Sequence, residues 1–452
     1  MKLSRRDFAT FIAGTGAAAA LGQLAHTATA APQGSYRAMV GVFLFGGNDG
    51  WNMVVPTDTR YAGYASSRGS VALAQNRLTA LEGSAYALHP AMSGLNGVWA
   101  EGALGLVLNA GTLHAPLTKA LYQSRSDLRP TNLLSHSDEQ AHWQGLRART
   151  ENYDGFMGRM ADRYAQPATP ALVSLGGSNL AIIGQTSSPL ILPSTGTLTR
   201  TSYTAGNTPK NAAIDAFAGA AGLGTVADVT AKQITAAYTQ ATTANTILTA
   251  TSSVDAQFVN PATGAMLTSD VARQLLRVAR LIEARGSLGH DRQTFFVTQG
   301  GYDNHSAQVN TDTSAGTHAT LLGDLALALA AFYRALKAMG MSENVTAFTM
   351  SDFGRTFRGN AQMGTDHAWG SNHIVMSGNL RPKLAHGIYP STVLAGADDV
   401  STEGRFVPTI SQEEYLGAIA KWHGVAEGDL SYVLPNWSTW TTNGRAPLGL
   451  FA

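Results

Sequence analysis

Long apolar runs closed by glycine or an acidic residue punctuate this chain. The first, YRAMVGVFLFGG at 36–47, shows no polar alternation. A strand wetted on one face alternates, whereas one covered on both faces does not, so this run predicts a buried parallel strand. ALGLVLNAG at 103–111 reads the same way, and HPAMSGLNGVWAEG at 89–102 predicts a helix between the two. QTFFVTQGG at 293–301 is another apolar strand. THATLLGDLALALAAFYRALKAMG at 317–340 has its apolar residues at helical spacing and Gly340 placed to end it. NVTAFTMS at 344–351 is the next strand. Strand, helix, strand in that order predicts a βαβ unit with parallel strands and a right-handed crossover. The chain is therefore expected to be α/β. Residues 165–290 break the pattern: GQTSSPLILPSTGTLTRTSYTAGNTP is rich in Ser, Thr, Gly and Pro, and small-residue helices follow. That segment predicts an insertion or cap beside the sheet.

The N-terminus has a different organisation. Arg5 and Arg6 precede an Ala-rich apolar run that closes on Ala28-Thr29-Ala30. This is the layout of a twin-arginine export signal over 1–30, with a mature chain from about Ala31 delivered to the periplasm or outside the cell. Loss of Lys2, Arg5, Arg6 and Asp7 with the leader takes 31 basic and 30 acidic residues to 28 and 29. A net charge of −1 gives no reason to expect nucleic acid or an anionic membrane as a partner. No segment after the leader has 18 consecutive apolar residues, so no later membrane span is expected. The chain has no cysteine, which removes disulfides, thiolate metal sites and a Cys nucleophile.

Three strands end alike. The first runs into Asn48-Asp49-Gly50, the 293–301 strand into Tyr302-Asp303-Asn304-His305, and the 344–351 strand into Asp352-Phe353-Gly354-Arg355. Ligands of open parallel sheets sit beyond the carboxyl ends of the strands. If these strands are neighbours, Asp49, Asp303 and Asp352 meet at one rim. GTDHAWGSNH at 364–373 adds Asp366, His367 and His373 a few residues later, in a chain with only 12 His. Crowded carboxylates repel unless a cation lies between them. With the imidazoles of His305, His367 and His373 they form a mixed O/N donor set suited to one or two divalent ions, Zn, Mn, Mg, Ca and Fe not being distinguished. The bland alternatives are a turn or N-cap role for Asp49, a hydrogen-bonded loop histidine at 373, and a surface cation at Arg355.

NLLSHSDEQAHWQG at 132–145 places Ser135 before a helix-like segment. Ser135 with Asp138 resembles a capping box; a hydroxyl at a helix N-terminus beside a metal could equally attack phosphorus or sulfur. GxSxG, GxxxxGK[ST] and HExxH are all absent, and no GxGxxG follows the first strand.

FLFGGNDGWNMVVP, LLSHSDEQAHW, GGYDNHSAQ, SDFGRTFRGN with GTDHAWG, and GRFVPTISQEEYLGAIAKWHGV resemble, in that order, the blocks of the DUF1501 proteins. That family in turn resembles the alkaline-phosphatase and sulfatase superfamily. The resemblance implies a three-layer αβα sandwich, a mostly parallel sheet and two divalent metals at the strand ends. It makes Asp49, Asp303, His305, Asp352, Asp366 and His367 metal ligands and Ser135 the nucleophile. Arg355 would hold a non-bridging oxygen. Phe353 stands where the superfamily often has His, and no sulfatase (C/S)-x-P-x-R motif is present. The expected activity is hydrolysis or transfer on a small anionic ester or glycan carrying phosphate or sulfate. A second reading is a non-catalytic binding or assembly protein, with Trp51, Trp143 and Trp369 offering a glycan or partner surface.

Overall fold

The computed structural model describes residues 36–164, 167–199, 207–222 and 224–452. The leader expected at 1–30 lies outside the described residues. The first apolar run forms β1 (Arg37–Leu44) inside a nine-stranded sheet. The others are β2 (Leu104–Gly111), β3 (Leu172–Ser174), β4 (Leu190–Ile191), β5 (Arg292–Gln299), β6 (Val345–Ser351), β7 (Ser371–Met376), β8 (Ala385–His386) and β9 (Ile410–Ser411). Their spatial order is β8-β2-β7-β6-β1-β5-β3-β4, with β9 also pairing β2. Only β7 runs against its neighbours β2 and β6; the other pairings are parallel.

Both faces of β1 are covered, which is why its sequence does not alternate. Ala38, Val40, Val42 and Leu44 enter one apolar cluster, shared with α3 (Asp270–Glu283) and α4 (Thr317–Ala338). Met39 and Phe43 enter the other, with Trp143 of α1 (His136–Gly145) and with Tyr415, Leu416 and Ile419 of α5 (Gln412–His423). Helix, sheet and helix therefore form three layers. α4 ends as expected, with Gly340 at φ +67° just past its C-cap Met339. α4 has no 18 consecutive apolar residues but is long and apolar enough on average to cross a membrane; here it is a core helix, with Leu322, Leu325, Leu329 and Phe332 buried. The helix expected at 89–102 forms as a 3-10 segment, Pro90–Leu95, and a short α-helix, Asn96–Ala100.

The 165–290 segment is less separate than its composition suggests. It contributes β3 and β4 to one edge of the sheet, and α3 buries Leu275, Val278 and Ile282 against the core. α2 (Thr225–Thr249) keeps the expected exposed, small-residue character, burying Ala231, Ala244 and Leu248.

α5 begins with a capping box between Ser411 and Glu414. Beside it Glu413 is wholly buried, accepting from Asn436 N at 2.9 Å and from Trp440 Nε1. Burial pushes its carboxyl up to about 7, against the opposing hydrogen bonds. The folded state thus holds a proton that the unfolded chain releases near pH 4.5. Stability from this group is complete below that pH and is lost as pH rises towards 7, by about 3 kcal/mol in all. Denaturant titrations at pH 5 and pH 8 should show this fall, and Glu413→Gln should flatten it.

Candidate metal centre

Strand register sets the rim. Leu44, near the end of β1, pairs with Gln299 on one side and with Ser351 on the other, so three parallel strands stop at one level. β7 starts where they stop, and its antiparallel sense returns residues 366 and 367 to the same rim. Gly46 makes the close fit possible: its φ is +111°, and a Cβ there would lie 2.4 Å from the Asp303 amide nitrogen.

Asp303 is the hub. Its Oδ1 lies 3.0 Å from His305 Nε2 and 3.3 Å from His367 Nε2, and its Oδ2 lies 3.5 Å from His136 Nε2. The His305 and His367 Nε2 atoms are themselves 3.0 Å apart. Asp303 is about half exposed, at 45%, so the hub opens to solvent.

The far side of each ring identifies its tautomer. His136 Nδ1 is 2.7 Å from Asp352 Oδ2, His305 Nδ1 is 2.6 Å from Asp366 Oδ1, and His367 Nδ1 is 2.9 Å from the Leu134 carbonyl. Carboxylates and carbonyls only accept, so all three Nδ1 atoms carry the proton. In the neutral rings, the form in which imidazole binds a metal, all three Nε2 lone pairs then face the Asp303 carboxylate. His305 Nε2, His367 Nε2 and Asp303 Oδ1 lie 3.0–3.3 Å from one another and His136 Nε2 lies 3.5 Å from Asp303 Oδ2, a crowding of electron-rich atoms that is repulsive unless a cation lies among them. Around a tetrahedral ion with bonds of about 2.0–2.1 Å, donor atoms stand about 3.3 Å apart. Pinning a ligand imidazole through its other nitrogen is also how proteins orient it toward a metal. The residues present fit a divalent metal ion.

Several expected ligands face other partners. Asp352 is fully buried and accepts from His136, from Gln140 Nε2 at 2.9 Å and from Gly46 N at 3.2 Å. It orients His136. Asp366 likewise orients His305 and is also touched by Asn360. Burial raises the Asp366 carboxyl pKa, but the bonds from His305 and Asn360 outweigh this and hold it below the usual range. Asp49 reaches the rim but faces inward. It caps the one-turn helix Gly50–Met53, accepts from Gln308 Nε2 at 2.6 Å, and forms a buried ion pair with Arg68. Burial alone would raise its pKa; the Arg68 charge and then His318 pull it below the ordinary value. The bland N-cap reading of Asp49 thus describes its place better than the ligand reading.

His373 is not at the rim. It lies within β7, 1% exposed, with its ring against Trp143 and Tyr415, and burial lowers its pKa to about 3. Ser135 does hold the N-cap position of α1, but its hydroxyl donates to Asp138 Oδ2 at 2.6 Å and lies 3.2 Å from Ser137 Oγ. Arg355 is buried and spends its donors on Asp303 Oδ1 at 2.8 Å, Gly46 O, Thr365 O and Thr365 Oγ1, which differs from an exposed oxyanion clamp. Trp51, Trp143 and Trp369 are each at most 2% exposed, so the aromatic surface expected from them does not form.

His136 and Gln140 were missed. The signal was their i, i+4 spacing just inside a helix whose cap had drawn attention: both reach Asp352 from one helical face. Phe353, 2% exposed, packs its ring 4.8 Å from His136 and 4.6 Å from His367, filling the space behind both imidazoles.

The family described as "Protein of unknown function (DUF1501)" matches residues 36–413. The chain belongs to this family. No curated protein matches it. Among solved structures, Ps i-CgsB in complex with k-i-k-neocarrahexaose matches at 10% identity and TM-score 0.33, covering 92% of this chain and 78% of its own. The C-terminal periplasmic domain of EcEptC from Escherichia coli matches at 12% identity and TM-score 0.33, covering 89% and 88%. An alkaline phosphatase PafA mutant matches at 12% identity and TM-score 0.27, covering 72% and 64%. Superpositions this loose transfer neither a site nor an activity to the DUF1501 chain.

Proposed function

We propose that this DUF1501 protein is an exported metal-dependent hydrolase of phosphate or sulfate esters, with one divalent ion held by His136, Asp303, His305 and His367. The observation that carries the reading is the set of three imidazoles, each pinned at Nδ1 and each turning Nε2 onto one carboxylate. Three nitrogens and one oxygen suit Zn²⁺, with Mn and Fe next; Mg²⁺ and Ca²⁺ prefer oxygen-only sites. Charge favours one ion over two. Asp49 pairs with Arg68 and Asp303 with Arg355, leaving Asp352 and Asp366, each on an imidazole, as two negative charges that one divalent ion cancels. When bound, such an ion supplies Lewis-acid stabilisation to an ester oxygen. Asp303 and His305, each nearly half exposed, leave the approach open to a small anionic ester. The Ser135 hydroxyl is committed to Asp138, which favours water over Ser135 as the attacking group. The twin-arginine pattern read in residues 1–30 supports a periplasmic or secreted location. Phe353 behind two of the imidazoles favours the second reading, a non-catalytic binding or assembly protein that keeps the fold with a degenerate metal site.

Elemental analysis of protein purified without added metal should give about one equivalent of ion. The same protein should hydrolyse p-nitrophenyl phosphate, bis-p-nitrophenyl phosphate or p-nitrophenyl sulfate and lose that rate to a chelator. Ser135→Ala should retain most of the rate. Full turnover by the metal-free protein would sink the hydrolase reading; a folded protein with no metal would favour the second.

A further inference from the structure

A buried chain of hydrogen bonds joins Asp49, which lies outside the proposed donor set, to the carboxylate at the hub. Asp49 can only accept, so the amide nitrogen of Gln308 must face it, at 2.6 Å. That leaves Gln308 Oε1 facing the Thr365 hydroxyl, which donates to it. With its proton so used, Thr365 Oγ1 has a lone pair for Arg355 Nε–H, at 3.3 Å. The Thr365 carbonyl accepts from Arg355 Nη2. Arg355 is thereby held edge-on with Nη1 aimed at Asp303 Oδ1, 2.8 Å away. Every donor and acceptor in the series has one allowed sense, set by the anion at Asp49, and that anion is fixed by Arg68. Gln308, Thr365 and Arg355 are each at most 1% exposed, so water does not compete for these bonds.

We infer that Asp49, Gln308 and Thr365 are positioning residues which, through Arg355, set the orientation of Asp303 and thereby the affinity of the centre for its ion. The inference rests on the metal-centre reading above. It explains why an acid at the rim is buried with an arginine instead of facing the imidazoles: its charge starts the series. A Gln or Thr that merely filled space would have no preferred amide or hydroxyl sense.

The test measures Zn²⁺ affinity by chelator competition on the full-length mature protein, with urea denaturation of the zinc-free forms alongside. Thr365→Val keeps the volume but cuts the chain, and should weaken zinc binding about 10–100-fold. Thr365→Ser restores the hydroxyl and should bind within about threefold of wild type. Gln308→Met cuts the same chain one link away and carries the same expectation should Thr365→Val fail to fold. Zinc affinity unchanged in both Thr365→Val and Gln308→Met, with wild type loaded, would overturn the relay and leave the centre standing. A Thr365→Ser protein as weak as Thr365→Val would also overturn it. Wild type taking up no zinc would remove the centre and the relay together.

Discussion

His367→Ala is expected to weaken binding of a divalent ion by about 10²–10³-fold. Structural Zn²⁺ sites with four protein donors are worth about 10–16 kcal/mol in total, so one donor of four carries about 3 kcal/mol. His367 offers Nε2 to the shared space and is anchored through the Leu134 carbonyl. Removing it also takes away a wall against which Phe353 and His136 pack, so the remaining donors lose orientation as well as number. His136→Ala and Asp303→Ala should behave alike. His373→Ala should leave affinity unchanged, because that ring is enclosed by Trp143 and Tyr415. Isothermal titration of the metal-free variants with zinc checks all four. Equal affinities in wild type and His367→Ala would exclude the proposed donor set.

Arg68→Met is expected to destabilise the fold by about 3–5 kcal/mol, read from the urea midpoint. Arg68 is fully buried and Asp49 1% exposed. Deleting one member of a buried ion pair leaves the other charge without compensation, which costs much more than the intact pair contributes. Arg68 also donates to the Thr356 carbonyl at 3.2 Å and lies over the Phe357 ring, so its loss opens the packing beneath the rim. Adding Asp49→Asn to Arg68→Met should recover part of the loss, since a neutral amide can keep a contact with Gln308 without a buried charge. A double variant no more stable than Arg68→Met would mean that packing, not charge, dominates at this position.

The elements that could be read along the chain share one property: their signal is local. β1, β2, β5 and β6 are covered on both faces, so each is an uninterrupted apolar run, and each forms within a few residues of its expected place. That Asp303, His305 and His367 share one rim was legible because they follow such strands or lie in a dense polar stretch. The roles of Asp49 and Asp352 were not, because a carboxylate's partner decides whether it binds an ion, balances an arginine or aligns an imidazole. Arg68 ends a helix whose sequence, YAGYASSR, gives no hint of burial. The 165–290 segment misled for a related reason. Its composition is that of an exposed insertion, yet two strands and one helix within it complete the sheet and the core.

By itself the sequence determined that this chain builds an α/β sheet and ends three of its strands in acids, because apolar periodicity and turn chemistry act over a few residues. Tertiary structure alone decided which donors face one another. β7 runs against its neighbours, bringing His367 back to the rim while sending His373 into the core. The first turn of α1 supplies His136 from more than 150 residues before Asp303, a meeting that only packing can arrange.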